Sequence, residues 1–365
     1  MGGGGVNRVL PAVVTIWVAA AAFIAGPASA QSDASREVGC PVADSIGGEL
    51  ERIARRAGND VGFAALHVES GAVISINGER AFPMASVSKI PMALEYLRRV
   101  DEGTIDPQAG IVVPTSDFRP GNSPLASWSG GRPVRITIDS LFGLMIGASD
   151  NTATDVILNL SGGPVAATAR VLQLGIHGVT VDRSEARTFA DLSGIPDTVP
   201  ESDLYRYRYF RLRDALPPTH SDSARSAYST DPRDTATPRA MATLLTRIHA
   251  GDGLSAASRG RLLEVMTSTR TGARRLKGLL PSETTVAHKT GTMAGAVNDV
   301  GIVTLPDGRG HMAVAAFVNT LTRTTRRRER TIAEMTRVAY DYFTERAASR
   351  ITSPPAGCPA ETAVP

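Results

Sequence analysis

The sequence predicts an α/β protein of the α+β type, with one antiparallel five-stranded sheet in a first lobe and helices in a second. Two observations indicate this class. Short β-prone runs fall near the two ends of the 365-residue chain, and a long, mostly helical block separates them. Strands from both ends can pair in one sheet, with the first and last helices on one face. An active site is expected between two such lobes.

The first element is a helix over residues 43–57, where apolar side chains recur at helical spacing. Two β-prone runs, Gly62–His67 and Val73–Asn77, follow as a hairpin. Residues 88–100 are predicted to be helical, although Pro91 removes one backbone donor from the first turns. The remaining predictions are helices within 137–160 and at 236–250, strands at 285–290, 297–305 and 312–318, and a closing helix at 331–347.

These elements make one domain over residues 43–348. Its parts are the α/β lobe at 43–85 and 260–348 and the helical lobe at 86–259, and a Pro-rich tail follows at 349–365. Within the helical lobe, residues 191–230 are expected to form an extended surface loop at the rim of the site. Basic and aromatic residues alternate at 205–213, a pattern that would also suit stacking on nucleic acid or sugar.

The composition excludes several classes of protein. With 42% hydrophobic and 21% charged residues, the chain can build a core and is not disordered as a whole. A net charge of only +3 argues against a nucleic-acid-binding protein. The six histidines show no metal-ligand spacing, and two cysteines are too few for a thiolate zinc site. Only three of the 39 basic residues are lysines, and arginine cannot serve where an amine must lose its proton.

The first thirty residues are typical of a secretory signal. Arg8 is their only charge, residues 9–26 are almost entirely apolar, and small residues precede a cleavage site after Ala30. A single transmembrane anchor is the alternative, because the apolar run is about long enough to span a bilayer. We expect cleavage, a periplasmic or secreted protein without stable membrane association, and a linker at 31–42.

Export also bears on the two cysteines. Cys40 precedes the first predicted helix, and Cys358 lies in the Pro-rich tail after the last one. In an oxidising compartment an even pair is expected to form a disulfide, which would join the two termini. Two free thiols are the alternative.

Three short motifs carry the chemistry. Ser86 and Lys89 open a predicted helix three residues apart, so the amine can reach the hydroxyl and act as its base. The other two motifs are Ser149-Asp150-Asn151 and Lys289-Thr290-Gly291-Thr292. Each alone also suits an ordinary helix cap, loop or strand end. Together, in this order and with two of the three lysines, they are a known catalytic set.

With these motifs the sequence resembles the class A serine β-lactamases from about residue 40 to residue 348. The resemblance implies that Ser86 attacks the β-lactam carbonyl and that Lys89, or Glu185 through a water, takes its proton. Ser149 would protonate the departing nitrogen, and the backbone N–H groups of Ser86 and Thr292 would hold the oxyanion. Glu185 would then activate the water that frees the acyl-enzyme.

The same resemblance implies a set of substrate-binding residues, namely Asn151, Lys289, Thr290, Gly291, Thr292 and Arg275. Asn151 would bind the side-chain amide of the substrate, and Lys289 with Thr290 would bind its carboxylate. Arg275 aligns with the arginine that some family members use for this carboxylate, and Arg274 is the competing choice. Neither a metal nor an organic cofactor is implied, and the partners are small-molecule β-lactams alone. We expect a monomer.

One departure from the family concerns deacylation. The family usually continues Glu-Pro-x-Leu-Asn after the glutamate, and the asparagine helps to hold the hydrolytic water. This chain has Glu185-Ala186-Arg187-Thr188-Phe189 instead. Two alternative functions therefore stay open: a D-Ala-D-Ala peptidase, and a β-lactam-binding module that is acylated and stays so.

Overall fold

The structure, a computed structural model, describes residues 41–58 and 60–352. In this part the helices are α1 Pro41–Ala57, α2 Lys89–Asp101, α3 Pro124–Trp128, α4 Ile138–Gly147, α5 Asn151–Leu160, α6 Gly163–Gln173, α7 Glu185–Leu192, α8 Arg206–Asp214, α9 Pro218–Tyr228, α10 Pro238–Ala250, α11 Ala256–Thr267 and α12 Thr325–Thr352. The strands are β1 Val61–His67, β2 Val73–Ile76, β3 Phe82–Pro83, β4 Gly110–Val113, β5 Val134–Thr137, β6 Thr235–Ala236, β7 Val286–Met293, β8 Ala296–Thr304 and β9 His311–Asn319.

The main sheet has five antiparallel strands in the order β2-β1-β9-β8-β7. The first strand of the chain pairs with the last one, and Phe63 lies opposite Ala316. The prediction that strands from the two ends of the chain meet in one antiparallel sheet is therefore confirmed.

Both faces of this sheet are covered, and its central strand, β9, is apolar from residue 312 to residue 318. Side chains of β9 alternate between two cores: Val314 packs with α1 and α12, whereas Ala315 and Phe317 face the helical lobe. This alternation follows from the two-residue period of a strand. The first and last helices thus share one face, as the sequence predicts.

Helix α2 runs through the middle of the second lobe and packs against α4, α5, α6 and α11. It is buried from Lys89 to Leu97, which fixes the site residue at its N-terminus. Pro91 is tolerated because it is only the third residue of the helix, where a backbone N–H has no intrahelical acceptor. The lobe is not purely helical, since β4 and β5 form a two-stranded ribbon that the sequence analysis missed.

Three elements differ from the prediction. Residues 191–230 are not an extended loop, because α8 and α9 form there. Helix α8 shares a small core with α7, and α9 also contacts α7. The arginines of α8 interrupt the helical spacing of its apolar residues, so the sequence shows no amphipathic pattern there. Helix α12 begins at Thr325 instead of 331, with polar first turns. The prediction assigns residues 86–259 to the helical lobe. Helix α10 lies in this range, but it packs against β1, β8 and β9 of the main sheet.

The signal segment, most of the linker and the two cysteines lie outside the described residues, so the predicted cleavage and disulfide have no structural counterpart here. Residues 41–42 of the predicted linker already belong to α1, and α12 extends into the predicted tail as far as Thr352. Across 41–58 and 60–352, no helix is both long and apolar enough to cross a membrane.

Candidate active site

Ser86 lies in a short 3-10 helix, Ala85–Ser88, directly before α2, and its side chain is half-buried. The preceding residue, Ala85, has a positive φ of 48°, which costs a non-glycine residue conformational energy. The turn is held by Asn298 of β8, whose Nδ2 donates to the carbonyl oxygen of Met84 at 3.0 Å. The sheet therefore fixes the serine in a strained turn.

Strand β7 approaches this turn very closely at Gly291. A Cβ on Gly291 would lie 2.6 Å from the carbonyl oxygen of Met84 and 3.2 Å from Cβ of Ala85. Only glycine fits between the strand and the turn at this distance. The glycine of the third motif thus brings the backbone of β7 next to Ser86.

Lys89 is completely buried, and its ammonium group contacts the second motif and the glutamate loop. Its Nζ donates to Asn151 Oδ1 at 2.9 Å and to the carbonyl oxygen of Ser149 at 3.0 Å. It also lies 3.2 Å from Oε1 of Glu185. Among the hydrogen bonds of the described residues, none joins Lys89 Nζ to the hydroxyl of Ser86. Lys89 is thus hydrogen-bonded to the second motif, and its reach to the Ser86 hydroxyl stays a prediction.

Ser149 sits between the two buried lysines. Its Oγ is 3.3 Å from Lys89 Nζ and 2.9 Å from Lys289 Nζ. Its positive φ of 57° marks a tight turn, which is closed by the buried Asp150 that caps α5 and accepts from the N–H of Ala153. One hydroxyl therefore connects the lysine of the first motif with the lysine of the third.

Lys289 is as fully buried as Lys89. Its Nζ also donates to the carbonyl oxygen of Thr290 at 2.8 Å. Burial, with the charge of nearby Lys89 as the next cause, holds the pKa of Lys289 well below its usual range. This amine therefore gives up its proton more readily than an exposed lysine does.

Glu185 is the first residue of α7, with Ser184 as the N-cap. Its backbone N–H donates to Oδ1 of Asp155 at 2.7 Å, and the N–H of Ala186 donates to Oδ2 at 3.1 Å. Asp155 also accepts from Nε of Arg119 at 2.7 Å. Burial nevertheless raises the pKa of Asp155 to about 6. One buried carboxylate thus anchors the helix that presents Glu185.

A second ionic network closes the segment that carries Glu185. The guanidinium of Arg183 contacts three carboxylates: Asp234, Asp191 at 2.8 Å and Asp231 at 3.1 Å. Asp234 also accepts from the backbone N–H of Arg183 at 3.1 Å. The start of α7 is therefore tied to the chain that follows α9.

Phe189 occupies the position where the family usually has asparagine. Its ring packs on the backbone of Gly121, where a Cβ would lie 2.2 Å from Cζ of Phe189 and 2.8 Å from Nδ2 of Asn151. The rings of Phe189 and Tyr209, which belongs to α8, form a T-shaped pair with 6.3 Å between their centroids. Arg206 Nη1 reaches the carbonyl oxygen of Gly121 at 3.4 Å. The segment 191–230 thus borders the site through α8.

Arg275 lies behind β7 and is 6% exposed. Its Nη1 donates to the carbonyl oxygens of Gly291 at 3.0 Å and Asn298 at 2.8 Å, and its Nη2 donates to Oγ1 of Thr292 at 2.7 Å. The side chain of Arg274 is 73% exposed and pairs with Glu329, whose other oxygen lies 3.4 Å from Nε of Arg275. Of the two arginines, Arg275 is the one that contacts the third motif.

Sequence reasoning missed three buried carboxylates around the site. Asp155 and Asp234 hold the glutamate segment, and Asp299 pairs with Nδ1 of His288 at 2.8 Å behind β7. No short motif marks them, because each acts through a partner far away in the sequence.

The fold and this set of serine, lysine and glutamate side chains define a serine hydrolase of the β-lactamase kind. Residues 46–343 match the family model described as the beta-lactamase enzyme family, and the chain belongs to this family. Its relatives identify it as a class A serine β-lactamase.

Extended-spectrum beta-lactamase PER-1 of Pseudomonas aeruginosa is 28% identical over 344 residues, which cover 92% of this chain and 96% of that protein. Carbapenem-hydrolyzing beta-lactamase KPC of Klebsiella oxytoca is 26% identical over 293 residues, or 78% of this chain and 84% of that protein. Among solved structures, a beta-lactamase from Chitinophaga pinensis matches with a TM-score of 0.67 and 30% identity, over 82% of this chain and 99% of that one.

Proposed function

We propose that the protein hydrolyses β-lactams through an acyl-enzyme on Ser86, which Glu185 then releases, and that it confers β-lactam resistance as an exported, monomeric enzyme. One observation carries the proposal: the side-chain nitrogen of Lys89 bridges the carboxylate of Glu185 and the Ser149-Asp150-Asn151 motif at 2.9–3.2 Å. The proposed base, Lys89, therefore contacts both the proposed proton shuttle, Ser149, and the hydrolytic carboxylate of Glu185.

In acylation, Oγ of Ser86 forms a bond to the β-lactam carbonyl carbon, and the carbon–nitrogen bond of the ring breaks. The proton of Ser86 passes to Lys89 directly or to Glu185 through a water. Both routes stay open, because Lys89 Nζ and Glu185 Oε1 are only 3.2 Å apart. Ser149 gives its proton to the ring nitrogen and recovers one from a lysine, Lys289 being 2.9 Å away.

The oxyanion is held by the backbone N–H groups of Ser86 and Thr292, an interaction worth about 3–4 kcal/mol per donor. The close approach of β7 at Gly291 supports this assignment. The substrate carboxylate binds to Lys289 and Thr290, with Arg275 acting beside them through its contact to Thr292. Asn151 binds the amide of the substrate side chain.

For deacylation, Glu185 removes a proton from the water that attacks the acyl carbonyl. The usual asparagine is replaced by Phe189, but other polar groups surround the carboxylate. Ser88, Thr188 and Tyr228 line a small cavity together with Glu185, and Tyr228 comes from α9. These hydroxyls take over the positioning of the water.

The test follows the purified enzyme with a chromogenic cephalosporin by absorbance, and the mass of the protein in parallel. We expect turnover with little adduct, no activity for Ser86→Ala, and a long-lived adduct for Glu185→Gln. A stable adduct on the unmodified enzyme without turnover would show a β-lactam-binding module instead. Release of D-alanine from a D-Ala-D-Ala peptide without β-lactam turnover would show a peptidase.

Export has its own test. The N-terminal sequence of the protein recovered from the periplasm or medium should begin after Ala30. A non-reducing peptide map should contain Cys40 linked to Cys358. An intact N-terminus in the membrane fraction would refute cleavage, and two alkylated cysteines without prior reduction would refute the disulfide.

A further inference from the structure

A cluster of metal-ligating side chains lies outside the site described above. Glu69 stands in the turn between β1 and β2, His249 in the last turn of α10, and His311 at the start of β9. A carboxylate oxygen and one ring nitrogen from each histidine lie within 4.8 Å of one another. Three distant segments of the chain thus converge on one point.

The carboxylate of Glu69 is held in a fixed orientation. It accepts from the backbone N–H of His311 at 2.8 Å, and its other oxygen is 2.7 Å from Nδ1 of His311. Gly310 leaves space for it, because a Cβ there would lie 2.2 Å from Oε2 of Glu69. Such secondary contacts are typical of side chains that are oriented as ligands.

His249 supplies a second, independent observation. Its Nδ1 is buried, and no hydrogen-bond partner exists for it among the described residues. An unpaired buried nitrogen destabilises a fold unless it binds something. The ring centroids of His249 and His311 are 4.2 Å apart, and the angle between the two ring planes is 45°.

We propose that Glu69, His249 and His311 bind a divalent transition-metal ion of the zinc class, with its remaining coordination positions open to solvent. Two imidazoles and one carboxylate are a ligand set that suits Zn²⁺, Ni²⁺ or Cu²⁺, whereas Ca²⁺ and Mg²⁺ prefer oxygen ligands alone. The nearby His67 is not a ligand, because its two nitrogens contact Ser70 Oγ and the carbonyl oxygen of Arg309, both at 2.8 Å.

This metal site is distinct from the serine centre. In the strand register, His311 pairs with Thr304 of β8, whereas Thr292 at the active site pairs with Val297. Seven residues along β8 separate the two positions by about 24 Å. The ion would join α10, β9 and the β1–β2 turn, so it stabilises the sheet and takes no part in acyl transfer. Spacing along the sequence could not reveal this site, because each ligand comes from a different segment.

The test is calorimetric titration of the full chain, without a histidine tag and after treatment with a chelator, with Zn²⁺. We expect one equivalent to bind, and Tm to rise by a few degrees at about 100 times Kd. His249→Ala, His311→Ala and Glu69→Gln should each weaken binding at least about tenfold. His220→Ala, an exposed histidine elsewhere, is the matched control and should bind like the unmodified chain.

Co²⁺ provides a spectroscopic readout, since its visible d–d absorption reports the coordination geometry of the bound ion. The bands should appear with the unmodified chain and vanish with His249→Ala. Cephalosporin turnover and the metal-free Tm of each variant verify that it is folded. The proposal would be overturned if the unmodified chain showed no saturable Zn²⁺ binding. It would also be overturned if folded His249→Ala and His311→Ala bound Zn²⁺ as tightly as the unmodified chain does.

Discussion

Replacing Gly291 by alanine should damage acylation far more than it damages folding. The new Cβ would lie 2.6 Å from the carbonyl oxygen of Met84, whereas an ordinary carbon–oxygen contact is about 3.3 Å. The turn that carries Ser86 must therefore move by about 0.7 Å. Asn298 holds the same carbonyl at 3.0 Å and opposes this movement.

A misplacement of about 1 Å at a reacting group costs about 100-fold in rate, so we expect kcat/KM to fall between about 30-fold and 100-fold. The overpacking itself should lower the free energy of unfolding by about 1–3 kcal/mol. The assay is kcat/KM for a chromogenic cephalosporin, together with the rate of adduct formation on Ser86 and a thermal melt.

Gly260→Ala is the matched control, because a Cβ at that position in α11 would meet no atom within 4 Å beyond its chain neighbours and the backbone of its own helix. It should leave kcat/KM unchanged and stabilise the helix slightly. If Gly291→Ala acylates Ser86 at the rate of the unmodified enzyme, the close approach of β7 does not position the nucleophile.

Further predictions concern the charges around the site. Arg183→Met leaves the buried Asp234 without its main partner and should lower the free energy of unfolding by about 3–5 kcal/mol, measured by denaturant unfolding; an unchanged midpoint would contradict the role of this network. Arg275→Ala should lower kcat/KM for cephalosporins about tenfold, mainly through KM, whereas the exposed Arg274→Ala should not; equal effects would refute the assignment. Asp155 has its pKa raised to about 6, so the folded state binds its proton more tightly than the unfolded state. Relative to Asp155→Asn, the unmodified enzyme should therefore lose about 2 kcal/mol of stability as pH rises from 4 to 7, and a constant difference across this window would contradict the shift.

The strands and the motif residues could be predicted from the sequence because their signals are local. A run such as residues 312–318 has strand composition by itself, and Lys89 and Lys289 stand out in a chain with three lysines. Helix α8 was missed because arginines interrupt its few apolar residues. Its stability comes from packing of Tyr209 against α7, which exists only in the folded chain.

Of the residues at the site, only those in the short motifs could be predicted from the sequence. Ser149 could be identified, but its position between two buried amines depends on the distance between β7 and α2. Asp155 carries no signal at all, because its role comes from backbone N–H groups thirty residues later in the chain. Contacts of this kind are a product of the tertiary fold, and no local spacing encodes them.

The pairing of β1 with β9 has a consequence for how the chain folds. Because β1 lies between β2 and β9, the sheet cannot close until the last strand has left the ribosome. Such non-local pairing folds slowly, since a long loop must close before any contact is gained. A partly synthesised chain therefore has no native state available to it. The native sheet therefore forms only after β9 has been synthesised.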